Sequence, residues 1–136
     1  MKDLHALLLS GALLVGCPTS FAQGGSTVDQ QVVGVWRGHS VCMVKNSPCH
    51  DEVNVYHVSA IPAKPGIYFV SGSKIVDGKE EVMSTAEWNY DAGSHTLSYE
   101  FPRGVFRLNI EGEKMQGDLK LTDGTLYRQI SLQRDK

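Results

Sequence analysis

The densest group of side chains able to do chemistry is His39, Cys42, Cys49, His50, Asp51, Glu52 and His57. Two chemistries compete for it. With thiolates at Cys42 and Cys49 and one or two of the histidines, four ligands could surround a zinc ion. With the sulfurs oxidised, the same cysteines form a disulfide and ligate nothing. The disulfide is the expected state, because Met43 to Pro48 separate the two cysteines and Asn46-Ser47-Pro48 is a turn former that folds the loop back. Closing so short a ring is worth roughly 2.5 kcal/mol in the loop-entropy model. The spacing matches no standard zinc motif. No metal and no cofactor are therefore expected, and His50-Asp51-Glu52 reads as a solvated turn entering a strand. His57, mid-strand beside Tyr56, is a candidate to line the barrel as a ligand contact, although a strand histidine is more often simply hydrogen-bonded or half-exposed. No serine stands in a Gly-x-Ser-x-Gly elbow, and no acidic residue is spaced to complete a triad. The expectation is a protein that is not an enzyme.

These residues need an oxidising compartment, and the N-terminus supplies the route to one. Lys2 gives a positive start, and Leu4 to Val15 is apolar apart from His5, Ser10 and Gly11. That run is too short to span a bilayer and reads as a signal peptide over 1–22. Ser20-Phe21-Ala22 offers small residues for cleavage before Gln23. Leu14-Val15-Gly16-Cys17 offers a competing lipobox, in which Cys17 would be lipidated and anchor the chain to the outer membrane. Either cut leaves roughly 115 to 120 residues, the size of one domain. Cys17 is then lost or acylated, and Cys42 and Cys49 remain as an even pair. The destination is periplasmic or secreted. A formal charge of −2 with no clustered sign excludes nucleic acid as a partner, since binding it needs a basic stripe. No second apolar stretch reaches membrane-spanning length, so no transmembrane span is expected.

The elements that must position these residues read as strands. Residues 23–30 are expected to be a flexible leader, and 31–134 a single barrel domain. Turn signals recur at Pro62 to Gly66, Asp77-Gly78, Asp91 to Gly93, Pro102 to Gly104, Glu111-Gly112 and Asp123-Gly124. They divide the chain into eight short runs, 31–42, 52–61, 66–76, 80–90, 94–101, 104–111, 114–122 and 125–133. Within them apolar and polar residues alternate. Val82, Ser84, Ala86, Trp88 and Tyr90 share one face, as do Leu97, Tyr99 and Phe101, then Phe106, Leu108 and Ile110, then Met115, Gly117, Leu119 and Leu121. One wet and one dry face is the signature of antiparallel sheet. Short connections favour up-and-down neighbours, and eight such strands close into a barrel without edges. Trp36, Trp88, Tyr99 and Phe106 are expected inside it, as core or as a ligand cage.

Gly34-Val35-Trp36-Arg37-Gly38 resembles the Gly-x-Trp opening of lipocalin-like and avidin-like barrels, the calycin type. The resemblance implies a tryptophan plugging the closed end, with a basic residue of the last strand over its ring; Arg128 is the matching candidate. The Cys-x6-Cys-His-Asp-Glu stretch and the closing Gly124-Thr125-Leu126-Tyr127-Arg128-Gln129-Ile130-Ser131-Leu132 strand are also similar to a group of uncharacterised secreted bacterial proteins. Val70-Ser71-Gly72-Ser73-Lys74 resembles a short Ser-Gly loop of bacterial lysozyme inhibitors, but the rest of that family's pattern is missing and a plain β-bulge or turn explains it better. The functional expectation is a monomeric lipocalin-like binding module. It would hold a small apolar ligand through Trp36, His57, Trp88, Tyr99, Phe106 and Arg128. The alternative is contact with an envelope protein, for example inhibition of a hydrolase, through the Cys42–Cys49 hairpin loop.

Overall fold

A computed structural model of the chain describes Gly16, Cys17 and residues 26–136. The expected cleavage site after Ala22 and the rest of the expected signal segment lie outside the described residues; Cys17 carries an exposed, unpaired thiol. Among the described residues the chain is all-β apart from one short helix, α1 (Thr27–Val32). The strands are β1 (Gly34–Cys42), β2 (Glu52–Ala60), β3 (Ile67–Val76), β4 (Lys79–Asp91), β5 (Thr96–Phe101), β6 (Gly104–Glu111), β7 (Lys114–Leu121) and β8 (Leu126–Arg134). Each pairs antiparallel with its neighbour in sequence, and β8 pairs with β1 to close the barrel. No described helix is long and apolar enough to cross a membrane.

The segment expected to be a flexible leader ends as α1, and this corrects the boundary at residue 31. Ser26 caps the helix, its Oγ accepting from the Asp29 amide at 3.1 Å. A Ser-x-x-Asp spacing is the sequence sign of such a cap. Six residues cannot hold a helix by propensity alone, so tertiary contacts must supply the rest. Val32 is fully buried against the barrel, and the Trp36 indole Nε1 donates to the Val32 carbonyl at 3.0 Å. The Tyr68 hydroxyl donates to Asp29 Oδ1 at 2.6 Å. Together these pin the helix across one end of the barrel, the closed end.

Around that end Trp36, Val58, Tyr68, Tyr90, Leu97, Ile110, Met115 and Leu132 form one buried cluster. Fully burying a large apolar side chain contributes roughly 1.5–3 kcal/mol, so this layer is a substantial part of what stabilises the fold. The cation over Trp36 is Arg134, not Arg128: its Cζ lies 4.3 Å from the ring centroid. Antiparallel pairing explains the correction. The end of β8 lies against the start of β1, with Trp36 opposite Arg134, while Arg128 stands opposite Cys42 at the far end.

Two bulges break the simple alternation. β4 skips Met83 where Gly72 faces Ser84 and Ser73 faces Val82. An extra residue reverses which face the following residues occupy. Val82 is therefore 65% exposed while Trp88 is 5% exposed, and the two do not share the inner face as the alternation implied. In β8, Leu119 faces Arg128 and Lys120 faces Leu126, leaving Tyr127 as the extra residue.

Candidate functional site

The end of the barrel away from α1 gathers the remaining chemistry. Cys42 and Cys49 are joined by a disulfide with Cα atoms 5.8 Å apart, the bond expected in an oxidising compartment. The loop it closes is fastened at three points. The Cys42 amide donates to Asp51 Oδ1 at 2.8 Å, and the Met43 amide donates to the Tyr127 carbonyl at 3.0 Å. Arg128 supplies the third, its Nη1 donating to the His50 carbonyl at 2.9 Å and to Ser40 Oγ at 3.2 Å. Its Nη2 reaches Glu52 Oε1 at 3.5 Å. Asn54 completes the layer by donating to Glu52 Oε2 and to the Ser73 carbonyl, both at 3.3 Å. Buried polar groups are usually paired, as Ser40, Asn54 and Arg128 are here, whereas the buried Ser73 hydroxyl has no partner among the described residues. Arg128 thus clamps the disulfide loop onto the barrel, and it stands opposite Leu119 in the register.

Beneath this layer Tyr56 is buried, and its ring lies against Gly72, which leaves room for it. Burial pushes the Tyr56 phenol well above its usual range, and Arg128 only partly opposes that shift, so the ring stays neutral. Tyr56 meets Trp88 edge-on at 5.9 Å between centroids. From Trp88 a run of aromatic rings leads outward. Tyr99 lies 5.6 Å from Trp88 and Phe106 lies 5.2 Å from it. Phe101 then stacks at 5.9 Å on Tyr99 and 5.7 Å from Phe106.

The rings become more exposed along this run for a topological reason. β4 pairs with β5 only at Asn89, Tyr90 and Asp91. Beyond them the two strands part, so Tyr99 and Phe101 have no β4 neighbour beside them in the sheet. Tyr99, Phe101 and Phe106 are each half-buried. Next to Phe101 opens a cleft of about 410 Å³ lined chiefly by Phe101, Pro102, Leu119, Leu121 and Tyr127, with Arg103 and Asp123 at its lip. Asp123 is already engaged: it accepts from the Thr125 amide at 2.9 Å, which holds its carboxyl below the usual range. The β8 bulge turns Tyr127 into this wall, with the Arg128 guanidinium 5.7 Å from its ring centroid. The cleft is apolar at its floor and can take a flat or branched apolar group.

The other expected site residues divide between the two ends and the outer wall. Trp36 is sealed at the closed end, fully buried. His57 does not line the barrel. It lies on the outer wall, where its Nε2 is 2.8 Å from Glu80 Oε2, and Arg37 joins Glu80 at 3.9 Å and Asp135 at 3.3 Å. Alternation decides this, because Tyr56 and Val58 on either side point inward. His39 is exposed on the outer wall as well. The seven-residue constellation is therefore dispersed, and among the described residues no three potential metal ligands converge. Ser71-Gly72-Ser73 sits within β3 at the bulge and does not protrude as a loop. Phe101, Leu119 and Leu121 were visible as inward positions without being singled out, whereas Tyr127 and Arg134 depend on a bulge and on the closing register. Comparison with protein-family models, curated proteins and solved structures finds no match.

Proposed function

We propose that this protein is an exported, non-enzymatic binding module of the calycin type that holds a small apolar ligand at the open end of its barrel. The observation that carries this reading is the aromatic run from Trp88 through Tyr99 and Phe106 to Phe101, which ends half-exposed beside an apolar cleft. A concave apolar surface with few polar groups at its rim is the usual form of a small-molecule site. Interior positions are occupied by Tyr56, Trp88 and Ile130, so the ligand sits at the mouth and not in the barrel axis. The disulfide supports function outside the reducing cytosol, either in the periplasm, in the medium, or on the outer membrane through lipid on Cys17.

The neutral fluorophore 1-aminoanthracene tests the reading. Its emission is expected to rise on binding, and Phe101→Ala is expected to weaken that binding by roughly tenfold, the effect of about 1.4 kcal/mol of lost contact. Equal binding by wild type and variant would remove the open end as the site. A second reading, docking of an envelope protein on the disulfide hairpin, is favoured by one observation. Val41, Met43 and Val53 around that loop are 40%, 42% and 37% exposed. A loop already fixed by a disulfide and by Arg128 loses little entropy on docking.

A further inference from the structure

The outer wall of a barrel is convex by construction, yet this one carries a trough of about 660 Å³ across β6, β7, β8 and β1. Directly behind it lie Gly38 and Gly117, where the backbones approach so closely that a Cβ would run into the Ser131 and Arg107 carbonyl oxygens. Glycine at these positions lets neighbouring backbones approach more closely than a side chain would allow. Across the floor one register row brings four exposed polar residues together: His39 opposite Ser131, Ser131 opposite Gln116, and Gln116 opposite Asn109. Gln129 lies in the next row beside Val41. Asn109 spends its Nδ2 on the Ser94 carbonyl at 3.1 Å and keeps its Oδ1 as an acceptor.

We infer that this trough is a binding site for a neutral oligosaccharide, distinct from the cleft at the open end. Four constraints select that class. The amides of Gln116 and Gln129 and the Ser131 hydroxyl each offer both donor and acceptor, which suits hydroxyl groups of either role. The charges at the two ends cancel, since Glu111 stands opposite Lys114 and Asp118 opposite Arg107, so a polyanion gains nothing here. Val41 is the one exposed apolar side chain of the lining, too little for a lipid and enough for the C–H face of a sugar. An extended peptide would need a free strand edge, and each of these four strands is paired on both sides. Four strands at about 4.8 Å spacing give a floor roughly 14 Å long, the reach of several linked sugar rings and not of one.

Backbone amide shifts of the full chain purified after export, titrated with maltotriose, cellotriose and chitotriose, test the assignment. At least one of the three is expected to move the amides of Gln116, Gln129 and Ser131 while those of Phe101 and Leu121 stay still. Gln116→Ala combined with Gln129→Ala is expected to weaken that trisaccharide about tenfold, since a lost hydrogen bond typically costs on the order of 1 kcal/mol. Both side chains are exposed, so the fold survives the change. The inference is overturned if none of the three moves the trough amides at about 10 mM, well above a millimolar dissociation constant. It is equally overturned if the double variant binds as tightly as wild type. Failure of aminoanthracene to bind would leave this result untouched, because the two sites share no residue.

Discussion

The guanidinium of Arg134 lies 4.3 Å over the Trp36 ring and at the same time receives the end of α1, donating to the carbonyls of Gln31 at 2.7 Å and Val33 at 2.6 Å. One side chain at the end of the last strand thus joins barrel closure to the helix that seals it. These contacts add to the Trp36–Val32 and Tyr68–Asp29 hydrogen bonds that hold the six-residue helix in place.

Arg134→Ala is expected to lower stability by about 2–4 kcal/mol, from the lost cation–π contact and the orphaned carbonyls. The Trp36 contribution to fluorescence should shift toward that of a solvated indole as α1 loosens. Arg128→Ala serves as the contrast. It should free the disulfide loop while leaving Trp36 emission unchanged, and chemical denaturation followed by fluorescence separates the two variants.

The closed end is also expected to depend on pH through Asp29. The Tyr68 hydroxyl, and then Ser26, hold the Asp29 carboxyl below its usual range. A carboxyl whose folded pKa is depressed contributes stability above its unfolded pKa, and that stability is lost as pH falls through the folded pKa. The difference in denaturation midpoint between wild type and Asp29→Asn should therefore be largest near neutrality and should shrink as the solution is made more acid. A constant difference across that range would remove Asp29 as the source.

Much of this architecture is legible in the residues, and the parts that are not share a physical cause. Turns at Asp77-Gly78, Glu111-Gly112 and Asp123-Gly124 are local events, each with its glycine at positive φ, so eight strands can be counted from them. The disulfide follows from compartment and a short turn-forming loop. Arg134 could not be chosen over Arg128 without the register between β8 and β1, which joins residues 98 apart in sequence. The faces of Val82 and Tyr127 could not be read because an extra residue at Met83 or Tyr127 leaves no mark in composition. α1 was hidden by its length, although Ser26 and Asp29 carried its cap. The open-end cleft was half legible: Phe101 and Leu121 alternate as inner residues, but the parting of β4 and β5 is a property of the closed sheet.

Glycines inside the strands should divide sharply by neighbour. Gly117→Ala drives a Cβ into the Arg107 carbonyl and is expected to cost about 3 kcal/mol, at the upper end for overpacking. Gly72→Ala meets the Tyr56 ring at 3.6 Å and Ser84 Oγ at 3.7 Å, both ordinary van der Waals contacts, and is expected to cost less than about 1 kcal/mol. Urea midpoints of the two variants measure this directly, and similar losses at both positions would contradict the close approach behind the outer trough.

The open end is tested most directly by native mass spectrometry of wild type and Leu121→Arg, each purified from the cells that make it without a refolding step. Leu121 is half-buried in the cleft wall, so the arginine blocks the apolar floor without entering the core. The expected result is wild type carrying a small apolar molecule and the variant carrying none. A bare wild-type protein, or a ligand retained equally by both, would contradict a binding site at the mouth of the barrel.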